Sequence, residues 1–104
     1  KMFLVGYIGS DVGEYSLSTA WDVSTASYTD ALYVHSQTGS GAHGLAFNTD
    51  GTKMFVVSYA NDSVHEYTLS TGWDVSTSSY VDAFSFSSQD NSPRGLAFSN
   101  DGTK

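Results

Sequence analysis

Cysteine is absent and proline occurs once in these 104 residues. Without thiols there is neither a disulfide staple nor a thiolate metal site, so burial has to supply the stability. Basic residues are almost as scarce: four Lys and Arg face eleven Asp and Glu, giving a formal charge of −7 at pH 7. No basic cluster exists to collect phosphates, which argues against nucleic acid and against anionic membranes as partners. No apolar run approaches the length of a membrane span, and the start shows no signal-peptide pattern, so membrane insertion is not expected. The chain begins at Lys1 rather than Met, and we expect a mature or excised piece of something longer.

What the sequence does contain is aromatic and small. Seven Tyr, six Phe and two Trp supply large apolar faces, while Ser, Thr and Gly are abundant, an all-β composition. An acidic, Ser/Thr-rich chain of this kind fits an extracellular protein or one on a cell or virion surface.

The organising stretch is Gly44-Leu-Ala-Phe-Asn-Thr-Asp-Gly-Thr-Lys-Met-Phe-Val-Val57, two apolar runs around Asp50-Gly51. Asp-Gly between such runs signals a hairpin, because Gly takes the positive φ of the turn and Asp bonds back to the backbone. The chain ends cut the same unit in half. Gly95-Leu-Ala-Phe98 with Asp101-Gly102 supplies a first strand and its turn, and Lys1-Met-Phe-Leu-Val5 supplies a second strand.

Shifting the sequence by 52 residues superposes Lys1-Met-Phe3 on Lys53-Met-Phe55, Glu14-Tyr15 on Glu66-Tyr67 and Trp21-Asp-Val-Ser-Thr25 on Trp73-Asp-Val-Ser-Thr77. After Gln37 and Gln89 the second copy is one residue shorter, so Gly44 to Phe47 meets Gly95 to Phe98 at a shift of 51. We therefore divide the chain into repeats 1–52 and 53–104, each holding the second to fourth strands of one unit and the first strand of the next. Strands are expected at Gly44–Phe47, Lys53–Tyr59, Ser63–Leu69 and about Tyr80–Ser87, with turns between them. A repeat near 50 residues built of four short strands is a β-propeller blade. The continuous run Met54-Phe-Val-Val57 suits a strand buried on both faces.

At Gly-Leu-Ala-Phe, Asp-Gly-Thr-Lys, Met-Phe-Val-Val and Val64-His-Glu-Tyr-Thr-Leu-Ser-Thr71 the chain resembles the YVTN/lactonase-like bacterial β-propeller repeats. The resemblance spans both copies and implies four-stranded antiparallel blades in a toroid; that superfamily hosts surface proteins, binding proteins and some enzymes. WD40 repeats do not fit, since Trp21-Asp22 and Trp73-Asp74 lie beyond the third strand rather than inside it, and the Gly-Gly pair of Kelch is missing. The Trp is expected to cover a blade edge and the Asp to begin a turn.

Two blades with permuted ends leave two apolar faces open, so the expected partner is the protein itself or further repeats. Lys1, Met2, Phe3, Leu4 and Val5 are expected to pair with Gly95, Leu96, Ala97 and Phe98 of a neighbour. Such a head-to-tail contact closes a ring or propagates as a filament.

Loops on the channel-mouth face carry His43 and Arg94 directly before the innermost strands, with Asp11, Asn61, Asp62 and Asp90 nearby, the expected rim for a glycan or peptide. Trp21 and Trp73 are candidate stacking platforms for sugar rings. Asn61-Asp62-Ser63 has the form of an N-glycosylation acceptor. Asp50-Gly51 and Asp101-Gly102 lack the spaced acids of a calcium loop, and no metal-ligand spacing or cofactor motif is present. His35, His43 and His65 align with Ser87, Arg94 and Gly13, so no histidine repeats. Glu14, Glu66, Asp30 and Asp82 do repeat, which points to a structural duty, since one active site needs its acids once. The sequence therefore reads as a non-enzymatic structural or adhesive module. A lectin-like propeller is the second reading and a lactonase-like hydrolase the third.

Overall fold

A computed structural model describes all residues, 1–104. The chain forms β1 (Met2–Gly6), β2 (Asp11–Leu17), β3 (Ala26–Tyr33), a one-turn helix α1 (His35–Thr38), β4 (Ala42–Phe47), β5 (Lys53–Ser58), β6 (Ser63–Leu69) and β7 (Ser78–Ser85). Single 3-10 turns at Val23–Thr25 and Val75–Thr77 precede β3 and β7. Two antiparallel sheets result, a three-stranded one ordered β1-β2-β3 and a four-stranded one ordered β4-β5-β6-β7.

Local chemistry sets these elements. The β4–β5 turn is built on Gly51, at φ 72°, and on Asp50, whose Oδ1 accepts from the Thr52 N–H at 3.0 Å. Asp22 and Asp74 each open a 3-10 turn by accepting from the N–H two residues on, Ser24 and Ser76. Their short side chains make this bond without leaving the loop.

The two copies share their registers: Met2 faces Tyr15 as Met54 faces Tyr67, and Glu14 faces Asp30 as Glu66 faces Asp82. Each carries a β-bulge after that Glu, so that Thr29 and Val81 are extra residues on the outer strands.

The sheets stack with β1 against β4. Val12, Val34, Ala42, Met54, Val56, Tyr67, Leu69 and Val75 form the core between them, with Phe3, Val5 and Phe47 packed alongside. Strand alternation sends Met54, Val56 and Ser58 of β5 toward the first sheet and Phe55 and Val57 away from it. Residues 95–98, expected to pair with a neighbouring copy, form no strand in the single chain, where no partner strand is present to complete a ladder. The segment lies instead along the far side of the second sheet, where Phe98 meets Phe55 with ring centroids 4.5 Å apart. The final strand also starts and ends earlier than expected, at Ser78–Ser85 instead of Tyr80–Ser87, because the 3-10 turn hands the chain to β7 without an intervening loop.

Candidate functional site

β1 and β5 are each followed directly by a tyrosine, and His43 is the second residue of β4, so the stacked sheets bring Tyr7, His43 and Tyr59 together. The His43 ring stacks on Tyr7 at 5.1 Å and lies 5.0 Å from Tyr59. The Tyr59 hydroxyl donates to that of Tyr7 at 3.2 Å. That bond, with some desolvation, raises the Tyr59 phenol above its ordinary pKa, while Arg94 pulls the other way. Arg94 completes the cluster, its guanidinium 5.7 Å from the Tyr59 ring centroid in cation–π range.

His43 and Arg94 thus share the Tyr59 ring, whereas none of Asp11, Asn61, Asp62 and Asp90 bonds to either of them. Asp11 sits in the β1–β2 ladder opposite Gly6. The Asn61 Nδ2 donates to the Gln37 carbonyl at 2.8 Å and its Oδ1 lies 3.2 Å from His65 Nε2. Asp62 adopts φ 48° and its carbonyl accepts from the Phe86 N–H at 2.9 Å, while Asp90 caps a turn by accepting from the Ser92 N–H. The ion pairs of the chain are Lys1–Glu14 and Lys53–Glu66, so Arg94 pairs with no acid. Nor do three His, Cys, Asp or Glu side chains converge in a group able to hold a metal ion. Tyr7 and Tyr59 escaped the sequence reading although their 52-residue spacing was visible; a tyrosine repeated just after the second strand was the available signal.

His65 faces the first sheet and is buried, and its Nδ1 has no partner. A proton added there would find no acceptor, and burial lowers the His65 pKa below its ordinary value. The unfolded chain therefore takes up that proton first, so the contribution of neutral His65 is intact above roughly pH 6.5 and declines as the pH falls below it. Urea unfolding between pH 7 and pH 5 is expected to show this loss, and His65→Gln is expected to flatten it. An unchanged slope in the variant would refute the assignment.

The repeated acids have structural partners. Glu14 Oε1 accepts from Lys1 Nζ at 2.5 Å, and Glu14 Oε2 accepts from the Val75 N–H at 3.0 Å, across the stacked sheets. Lys1 Nζ also donates to the Trp73 carbonyl at 2.8 Å. This holds the Trp73 loop, whose N–H donates to the Gly51 carbonyl at 3.1 Å and whose indole lies over Gly51, near Phe47 and Phe3. Trp73 is thus packed against its own protein, while Trp21 stands in solvent. Glu66 keeps the counterpart of the lysine bond, to Lys53 Nζ at 2.6 Å, but not of the backbone bond. Its side chain is 29% exposed against 2% for Glu14. Asp30 and Asp82 each accept from the N–H of the following alanine.

Comparison with protein-family models, curated proteins and solved structures finds no match to this chain.

Proposed function

We propose that the chain is a pair of β-propeller blades of the YVTN/lactonase-like kind, a non-enzymatic structural or adhesive module of an extracellular or cell- or virion-surface protein. It assembles by pairing strands between blades of neighbouring copies. The observation that carries this reading is the placement of residues 95–98. Phe98 lies on Phe55 at 4.5 Å as Phe47 lies on Phe3 at 4.6 Å, so the terminal segment takes the position of the next innermost strand while lacking a ladder. β1 meanwhile pairs only with β2 and leaves its other edge open. Together they are the two halves of one hairpin. A non-enzymatic role is supported by the use of Glu14 and Glu66 in bonds between strands and sheets and of Asp30 and Asp82 in bonds to the following backbone N–H. The extracellular placement rests on composition.

The Tyr7–His43–Tyr59–Arg94 cluster favours a second reading, a carbohydrate- or peptide-binding rim, since flat aromatic faces beside a free guanidinium suit sugar rings or carboxylates. Native mass spectrometry and particle imaging across a concentration series test the first. A discrete mass of roughly three or four protomers signals a ring of six or eight blades, and a polydisperse ladder signals a filament. A monomer at every concentration overturns assembly, and binding to a glycan array lost in Tyr59→Ala would then establish the second reading.

A further inference from the structure

The internal repeat acts as its own control, because the same residues occur once with a neighbour and once without. Trp73 is 38% exposed and Val75 0%, whereas their counterparts Trp21 and Val23 are 98% and 69% exposed. Leu4, the counterpart of buried Val56, is half exposed. What covers Trp73 is also known: Gly51, Phe47 and Phe3, with the Lys1 amine on its carbonyl and the Glu14 carboxylate on the Val75 N–H. One repeat further on, the same set recurs as Gly102, Phe98, Phe55, Lys53 and Glu66, and these residues have no tryptophan loop upon them. A cavity of about 650 Å³ lies there, lined by Phe55, Phe98, Asp101 and Gly102 among others, with Trp73 on one wall. A Cβ built on Gly51 would meet the Trp73 ring at 2.4 Å, but one built on Gly102 would meet nothing within 4 Å.

We infer that this cavity is the seat for the Trp21 loop of a second copy of the chain. The inference rests on the strand-pairing reading above and assigns its side-chain determinants. The incoming Trp21 indole lies over Gly102 between Phe55 and Phe98, the Lys53 amine donates to the Trp21 carbonyl, and Glu66 accepts from the Val23 N–H. Backbone geometry supplies a second, independent observation. Trp21 and Trp73 both hold positive φ, 65° and 63°, a conformation that costs a bulky residue free energy. At Trp73 packing on Gly51 and Phe47 adds to the loop's own hydrogen bonds; at Trp21 the loop's own bonds alone, such as that from the Asp22 N–H to the Thr19 carbonyl, hold it ready in its docked shape.

Two positions in the copies differ in ways that matter. Gly72, the counterpart of Ala20, leaves room for the Asp50 carbonyl, which would lie 2.3 Å from a Cβ there. Ala20 therefore pushes the Asp101 turn outward on docking, and the exposed 99–104 turn yields. Lys104 and the incoming Lys1 are both counterparts of Lys53, so the terminal Lys104 swings aside.

The test is association measured by sedimentation together with tryptophan emission across a concentration series. The intact chain is expected to self-associate with a blue shift that is missing in Trp21→Phe. Gly102→Asn, which tolerates positive φ and occupies the seat, and Trp21→Ala are each expected to weaken association roughly 100-fold, the scale of a central tryptophan hot spot. Ala20→Gly is expected to tighten it severalfold, a gain that a misfolded variant could not produce. If the chain assembles but Trp21 stays in water and these variants assemble normally, the seat is wrong while strand pairing survives. A chain monomeric at all concentrations overturns both.

Discussion

Replacing Glu14 with alanine is expected to cost about 2–3 kcal/mol of folding stability, while the same change at Glu66 in dilute protein stays within about 0.5 kcal/mol. The two glutamates face the same residue types across the ladders, a Phe and an Asp, and both bind a lysine, so the repeat alone would rank them equal. Glu14 differs because its second oxygen receives the Val75 N–H of the other sheet in a buried setting. Removing the carboxylate leaves that amide without an acceptor, a cost beyond the lost attraction, and leaves Lys1 with the Trp73 carbonyl alone. The half-exposed lysine recovers water, which is why the value falls below that for a fully buried pair. A domain of this size has on the order of 5–10 kcal/mol to lose, so the urea midpoint should move far. Glu14→Gln, which keeps an acceptor, should fall between. Equal midpoints for the two alanine variants would show that the inter-sheet bond contributes nothing.

A second contrast concerns the turn glycines. Gly51→Ala is expected to lose about 3 kcal/mol and Gly102→Ala about 1 kcal/mol or less in dilute protein. Both sit at positive φ, 72° and 71°, so the backbone penalty is shared. Only at Gly51 does the new methyl fall inside the Trp73 ring, three of whose atoms lie within 2.5 Å. The indole must leave Phe47 and Phe3 to admit it. Denaturant unfolding followed by tryptophan emission reads both effects at once, a lower midpoint and a red-shifted native signal in Gly51→Ala alone. Matching losses would mean that the ring does not depend on the glycine.

The all-β character and most strand positions could be read from the residues. β6 occupies the expected Ser63–Leu69, because alternating polarity and flanking turn residues mark both limits. β4 begins earlier than Gly44, at Ala42, since a bulge between Ala42 and Gly44 extends the ladder past the glycine. The one-turn helix His35–Thr38 was unreadable: its polar residues look like a loop, and what folds it is Thr38 bonding back to Val34 inside the core. Glu14 was visible as a repeated acid, but its partner is a backbone N–H, which has no sequence signature. The candidate rim divides likewise. His43 and Arg94 were legible from their place before Gly44 and Gly95, whereas Asp90 is spent on a turn and the Asp62 Oδ1 is buried without a partner, matters of side-chain direction that spacing does not encode.

The bare edge of β1 has a cost as well as a use. Five residues without proline or an inward charge offer amides and carbonyls to any extended peptide, not just to the matching one. Hydrogen bonding along that edge discriminates poorly, so under the seat proposed for Trp21 fidelity would come from the corner where an indole, a carboxylate and a glycine have to fit simultaneously. In the proposed assembly, growth by the right addition and clumping by the wrong one would compete for the same template, and the corner, rather than the strand, would determine which prevails.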